Sequence, residues 1–236
     1  MLTSIETNTE TNQPQEAVNS TVDKNELLEE ETTKDIYAEE LSIVKSLPPL
    51  KLDDINSHQV FLGERTKKYT LFLDLDETLV AFRNDSGKII TQYEESSGII
   101  VRPFAVGLIE TLSEYYEIVI FTAASEEYAN EVTEILDPDH KYIKKVLTNY
   151  HCLRVNEFYV KDLRIIADRR LDQMLIVDNS IISFAFQLEN GIPVTPYFGE
   201  ADDKELVYLT TYLKSLHGAK NIVEKNNANI GLIVNN

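Results

Sequence analysis

Three acids crowd the end of an apolar run in YTLFLDLDETLV, residues 69–80, where Asp74, Asp76 and Glu77 fall within four positions. Two carboxylates about 4 Å apart repel by about 4 kcal/mol at an effective dielectric of about 20. A fold gains no stability from that crowding, so a cation or proton chemistry must offset it. In an extended chain, alternation puts Asp74 and Asp76 on one side, about 7 Å apart, and returns Thr78 to the same side. A second apolar run, MLIVDNS, also ends in an acid, Asp178, followed by Asn179. Hard oxygen ligands of this kind suit Mg²⁺, which takes a few carboxylates, several waters and a substrate phosphate. Two further groups suit an anion beside that metal. Thr122 closes the run YEIVIFT just ahead of a helical stretch. Its hydroxyl and the backbone amides that follow, beginning with Ala123, can hold phosphate at a helix N-terminus. Lys161, in FYVKDL, supplies a point positive charge. Cation, hydroxyl, amides and lysine are the parts that stabilise charge in phosphoryl transfer.

These residues need a scaffold that gathers strand ends. YTLFLDL, YEIVIFTA and MLIVDNS are continuous apolar runs bounded by charge, the pattern of buried parallel strands. Between them lie helical patterns. PFAVGLIETLSEYY has Pro103 suited to a first turn, and SEEYANEVTEILDP has Ser125 as an N-cap and stops before Pro138. Near the end, Leu206, Leu209, Leu213 and Leu216 share one helical face, and Gly218 suits the C-cap. Strands alternating with helices predict an α/β fold with a parallel sheet, whose ligands bind at the carboxyl ends of the strands. Residues 1–60 read as an acidic, mostly disordered tail, 61–218 as the domain and 219–236 as an Asn-rich, frayed tail to which IGLIV could add an edge strand.

The chain has 236 residues, 43% of them hydrophobic, and a formal net charge of −18. Residues 1–60 hold 13 acids and 4 bases, and the remainder 27 acids and 18 bases, so the domain is acidic in its own right. Nucleic acid and anionic membranes, which are bound through Lys and Arg, are thereby excluded as main partners. The single cysteine, Cys152, forbids an internal disulfide and fits a reducing compartment, nucleus or cytoplasm. No signal peptide and no apolar span of membrane length is visible. A calcium loop is excluded because the glycine and distal glutamate of an EF-hand are missing. A cysteine phosphatase is excluded because Phe158 stands where such a loop needs its arginine.

DLDET, FTAAS, YVKDL and LIVDNS, in that order, resemble the haloacid dehalogenase superfamily of Mg²⁺-dependent aspartyl phosphatases. The likeness is to its branch of small-CTD-phosphatase, or NLI-interacting-factor, proteins. It spans about residues 67–216 and includes VRPF, EYYEIVIFTA, LDP and GIPVTPYF. The resemblance implies a Rossmannoid parallel sheet flanked by helices and a Mg²⁺-dependent protein serine/threonine phosphatase. It implies Asp74 as nucleophile, forming an aspartyl-phosphate, and Asp76 as general acid and base, its backbone carbonyl also ligating Mg²⁺. Thr78 would orient the loop beside the phosphate, Thr122 and Lys161 would hold phosphoryl oxygens, and Asp178 and Asn179 would complete the metal site.

Two positions depart from that family's pattern. Ala124 stands where a serine is usual, and Asn149 and Tyr150 replace an Arg-Glu pair. In the polymerase-tail phosphatases that arginine is linked to substrate recognition, so the RNA polymerase II tail is one candidate substrate and another phosphoprotein the other. Asp74 and Thr122 stand 48 positions apart and Thr122 and Lys161 stand 39 apart, with predicted elements filling both gaps. No folded cap fits there, and an open site favours phosphoserine or phosphothreonine on a protein. Residues 83–98 read as a small hairpin flap. The competing class is a non-catalytic scaffold, or a binding protein like the mitochondrial import receptors that share this likeness. The acidic N-terminal tail offers a docking segment for a partner.

Overall fold

The computed structural model describes residues 37–84, 87–90 and 98–232. In chain order the elements are α1 (residues 37–46), α2 (Leu52–Ser57), β1 (Tyr69–Leu73), β2 (Val80–Arg83), β3 (Ile89–Ile90), β4 (Gly98–Val101), α3 (Ala105–Ser113), β5 (Tyr116–Phe121), α4 (Glu126–Leu136), β6 (Ile143–Leu147), β7 (Leu153–Val155), β8 (Phe158–Val160), β9 (Met174–Asp178), β10 (Gly191–Pro193), α5 (Glu205–His217) and α6 (Ile222–Ile230). Five strands form a wholly parallel sheet in the order β10-β9-β1-β5-β6. Every residue of β1, β5 and β9 is buried, as continuous apolar runs require when both faces of a sheet are covered. Alternation divides β1 between two cores. Tyr69, Leu71 and Leu73 pack with Leu108, Ile109 and Leu112 of α3 and with the leucine face of α5, while Phe72 meets Phe121 on the other side, ring centroids 6.2 Å apart. Leu206, Leu209, Leu213 and Leu216 are all buried, as their spacing predicts.

The interval between β1 and α3 holds a small antiparallel sheet, β3-β2-β4, in place of a cap domain. This is the flap read from the sequence; its residues 85, 86 and 91–97 lie outside the described residues. A second hairpin, β7-β8, turns at Asn156, whose φ of 54° is the left-handed conformation that Asn tolerates. It delivers Lys161 to the sheet's carboxyl edge.

Two segments assigned to tails by composition carry packed structure. Ile55 of α2 is buried and Val60 bridges Ile166, and just inside the predicted domain the amides of Leu62 and Gly63 donate to the Asp168 carboxylate. At the other end α6 buries Ile222, Val223 and Asn226. Asn226 is saturated, donating to the carbonyls of Glu189 and Gly191 and accepting from the Tyr212 hydroxyl. A buried amide with full hydrogen bonding reads as polar in a composition count yet anchors a helix. Gly231, at φ 63°, ends that helix, so residues 230–232 form no edge strand. The disorder expected for residues 1–36 concerns a segment outside the described residues. Among the described residues no helix is long and apolar enough to cross a membrane.

Candidate active site

Strand β1 ends at Leu73, and the chain then leaves the sheet. The Asp74 amide still bonds the Val177 carbonyl of β9, but the Leu75 carbonyl accepts from the amides of Thr78, Leu79 and Val80 and curls the chain into a tight loop. Glu77 closes the loop at φ 58°, a conformation most non-glycine residues avoid. The loop brings the Thr78 hydroxyl to 3.1 Å from Asp74 Oδ2, where it donates. Curling, not extension of the strand, is therefore what places Thr78 beside Asp74. Arg102, fully buried, ties the loop down from outside. It donates to the carbonyls of Thr78 (3.1 Å) and Thr195 (3.0 Å) and pairs with Asp203 (2.7 Å).

Lys161 arrives from β8, its backbone amide bonded to the Ser183 carbonyl. Its ammonium bridges Asp74 Oδ1 at 2.5 Å and Asp178 Oδ2 at 2.6 Å. All three residues are buried. Burial alone would lower the lysine's pKa, but Asp178 and Asp74 outweigh it and push the pKa up, so the ammonium stays charged. Burial pushes the Asp74 carboxyl up to about 7; Lys161 pulls it down, while Asp178 and Asp76 push it further up. One ammonium among three acids leaves that carboxyl short of positive partners. Asp76 is likewise raised, first by burial, against hydrogen bonds from Tyr128 and Thr122. The Tyr128 hydroxyl donates to Asp76 Oδ1 at 2.8 Å.

Thr122 follows β5, its amide bonded to the Leu147 carbonyl and its hydroxyl accepting from the Ala124 amide at 3.1 Å. Ala123, half-buried, lies between them. Ser125 caps α4 as the sequence predicts, accepting from the Tyr128 amide. Asn179 donates through Nδ2 to Glu77 Oε2 at 3.0 Å, which turns its amide oxygen toward Thr78, 3.4 Å away. The divergent Asn149 bonds the Ala124 carbonyl through its amide, and Tyr150 beside it is 74% exposed. Asn149 and Tyr150 thus border the 122–124 turn. Burial pushes the Cys152 thiol up to about 12, which leaves it inert.

The structure thus brings together Asp74, Thr78, Lys161, Asp178 and Asn179 by direct bonds, with Asp76 and Thr122 linked beside them. Sequence reasoning gave no role to Tyr128 or Arg102, and counted Glu77 among the crowded acids without giving it a partner. Arg102 carried a signal, an arginine between an apolar strand and a proline; Tyr128 looked like one more apolar residue of α4.

A divalent cation fits this donor set. Three carboxyl groups against one ammonium leave excess negative charge in a buried place, which another cation would offset. Among the described residues no three Asp, Glu, His or Cys side chains form a metal cage by themselves. A backbone carbonyl, Asn179 and water would supply the remaining ligands, the mixed set Mg²⁺ commonly accepts.

The chain belongs to the NLI interacting factor-like phosphatase family, whose model matches residues 69–223. It is 34% identical over 195 residues to the CTD small phosphatase-like protein 3 of Caenorhabditis elegans, covering 75% of this chain and 64% of that protein. It is 39% identical over 105 residues to the mitochondrial import inner membrane translocase subunit TIM50 of Candida glabrata, covering 44% of this chain and 21% of that protein. The solved structure of Fcp1, an essential RNA polymerase II CTD phosphatase, superposes with a TM-score of 0.52 at 17% identity, covering 88% of this chain and 71% of that one. At that identity the likeness is one of fold, and the fold is the haloacid-dehalogenase-like sheet that the sequence predicts.

Proposed function

We propose that the chain is a Mg²⁺-dependent protein serine/threonine phosphatase working through an aspartyl-phosphate. The observation that carries this reading is the buried Asp74–Lys161–Asp178 cluster with Asp76 beside it, at the carboxyl edge of the central strands. Asp74 attacks the phosphorus, the ester bond to the serine or threonine oxygen breaks, and Asp76 gives that oxygen its proton. Asp76, now a carboxylate, takes a proton from water as the water attacks phosphorus, which frees phosphate and restores Asp74. The raised pKa of Asp76 suits the first of these roles, and the Tyr128 hydrogen bond steadies the charged form needed for the second. Lys161 and the Thr122 hydroxyl, with the amide of Ala123, hold phosphoryl oxygens, and Thr78 keeps Asp74 aimed. Asp74, the Asp76 carbonyl, Asp178 and Asn179 would hold Mg²⁺, which when bound supplies electrostatic stabilisation to the phosphoryl oxygens.

A phosphate displayed on a protein suits the architecture better than a metabolite. Among the described residues only the small β2–β4 sheet stands between β1 and α3, and α4, β6 and the β7-β8 hairpin occupy the interval from Thr122 to Lys161. The RNA polymerase II tail remains one candidate, with Asn149 and Tyr150 as the residues to vary. The acidity of the chain speaks against nucleic acid and anionic membranes as partners, and the one cysteine suits nucleus or cytoplasm. The decisive assay is hydrolysis of p-nitrophenyl phosphate with Mg²⁺ or EDTA. Asp74→Asn should lower Mg²⁺-dependent turnover by at least about 10³-fold; a mutant rate near wild type removes Asp74 from the mechanism. Phosphopeptides compared with sugar phosphates then separate a protein from a small-molecule substrate.

The similarity to an import translocase subunit favours a second reading, a binding protein of the same fold. A partner captured through residues 1–60, and captured equally by Asp74→Asn, would support it.

A further inference from the structure

Leu41 and Val44 of helix α1, and Leu47 just past its end, are half-buried, while Ser42, Lys45 and Ser46 are exposed. Glu40 lies on the same stripe as those apolar residues, half-buried itself. A carboxylate on the apolar face of an amphipathic helix is costly unless it is bonded. This one is: Glu40 Oε2 accepts from the Ile181 amide at 2.6 Å, and Oε1 accepts from the Ser180 hydroxyl at 3.0 Å.

Those two donors belong to the turn that follows β9. Within it, Asp178 Oδ1 accepts from the Ser180 amide at 2.9 Å, and the Ser183 carbonyl holds the Lys161 backbone. One turn therefore presents Asp178 and Asn179 and anchors Lys161. Asn179 is fixed from the other side by Glu77. The turn is gripped at both ends by carboxylates, one from the DLDET loop and one from a helix that precedes the sheet. Ile181 is fully buried with Glu40 in place, so removing Glu40 takes away the acceptor its amide has.

We infer that Glu40 is a positioning residue for the divalent-cation site: through Ser180 and Ile181 it fixes the turn that sets Asp178 and Asn179. The inference rests on the Mg²⁺ phosphatase reading above. It makes α1 part of the working unit, although the helix lies outside residues 69–223, where the family pattern is recognised.

The test uses the full chain as wild type, Glu40→Ala, Glu40→Gln and Glu39→Ala, the last an exposed neighbour on the same helix. Mg²⁺ binding is measured by calorimetry, and amide hydrogen exchange is followed at Ile181. Glu40→Ala should weaken Mg²⁺ binding about tenfold, the lower end for groups that hold metal ligands in place, and speed exchange at Ile181. Glu40→Gln keeps one acceptor and should fall between, about threefold weaker than wild type. It carries the test alone if the alanine variant does not fold. Glu39→Ala should match wild type. Mg²⁺ affinity within twofold of wild type in the Glu40 variants, even with a lower melting temperature, makes Glu40 a packing residue and overturns the inference. A wild-type chain that binds no Mg²⁺ overturns the inference and the phosphatase reading together. Mg²⁺ binding that depends on Glu40 in a chain that hydrolyses no phosphoester supports the inference and defeats only that reading.

Discussion

The two ends of strand β1 carry opposite kinds of charge cluster. At its carboxyl end the ammonium of Lys161 bridges Asp74 and Asp178, with Asp76 beside them. At its amino end one carboxylate, Glu117 of β5, is surrounded by cations and donors. Arg169 reaches it at 2.7 Å, Lys144 at 3.2 Å, the Thr66 amide at 2.9 Å and the Thr70 hydroxyl at 3.2 Å. Burial by itself would raise the Glu117 carboxyl, but those bonds bring it down to about 2, whereas Asp74 is driven up to about 7. The carboxylates at the heart of both clusters, Asp74 and Glu117, are buried, and both clusters border β1. The carboxylate at the amino end is met by cations and donors; the carboxyl-end cluster has negative charge to spare. Charge imbalance, more than burial, separates a site from a brace.

The sharpest way to break the contrast is to worsen the imbalance. Lys161→Ala leaves Asp74 and Asp178 buried without their cation and should cost about 3–5 kcal/mol of stability. It should also weaken phosphate binding, and full affinity in a folded variant would remove Lys161 from the site. Next comes the foot. Arg169→Ala should cost about 3 kcal/mol by chemical denaturation, yet leave Mg²⁺-dependent turnover per folded molecule unchanged. A loss of turnover there would mean the two ends are coupled.

The same cluster predicts a pH dependence. The folded pKa of Glu117, about 2, lies below its ordinary value of 4.5. The stability it contributes is therefore complete above about pH 4.5 and is lost as pH falls toward 2. The stability gap between wild type and Glu117→Gln should narrow across that window; a constant gap would place the stabilisation elsewhere. The smallest effect belongs to Tyr128→Phe. Losing the donor to Asp76 should lower kcat about tenfold, the worth of one hydrogen bond to a charged group, with little change in melting temperature.

The carboxyl end was legible in the sequence and the amino end was not, for a physical reason. Asp74, Asp76 and Thr78 are neighbours in the chain, and Asp178 and Asn179 close a run of their own, so their purpose shows in a local pattern. Glu117, Lys144 and Arg169 meet only in three dimensions. One clue was present: a glutamate second in the otherwise apolar run YEIVIF, where an unpaired charge could not stay. The sheet itself was legible because buried parallel strands are apolar throughout. Helix α6 was not, because Asn226 and its neighbours have the composition of a loop, and the carbonyls of Glu189 and Gly191 and the Tyr212 hydroxyl, distant in the chain, give that amide a reason to be buried.

Arg102 has a consequence for how the chain is made. The loop that begins at Asp74 is closed by the Thr195 carbonyl and Asp203 through this guanidinium, and by the Tyr197 amide on the Glu77 carbonyl at 2.7 Å. A ribosome that has finished DLDET still has more than a hundred residues to add before those partners emerge. Until then the nascent chain holds its acids without that outer brace, and any product released before residue 195 carries the motif and lacks the brace.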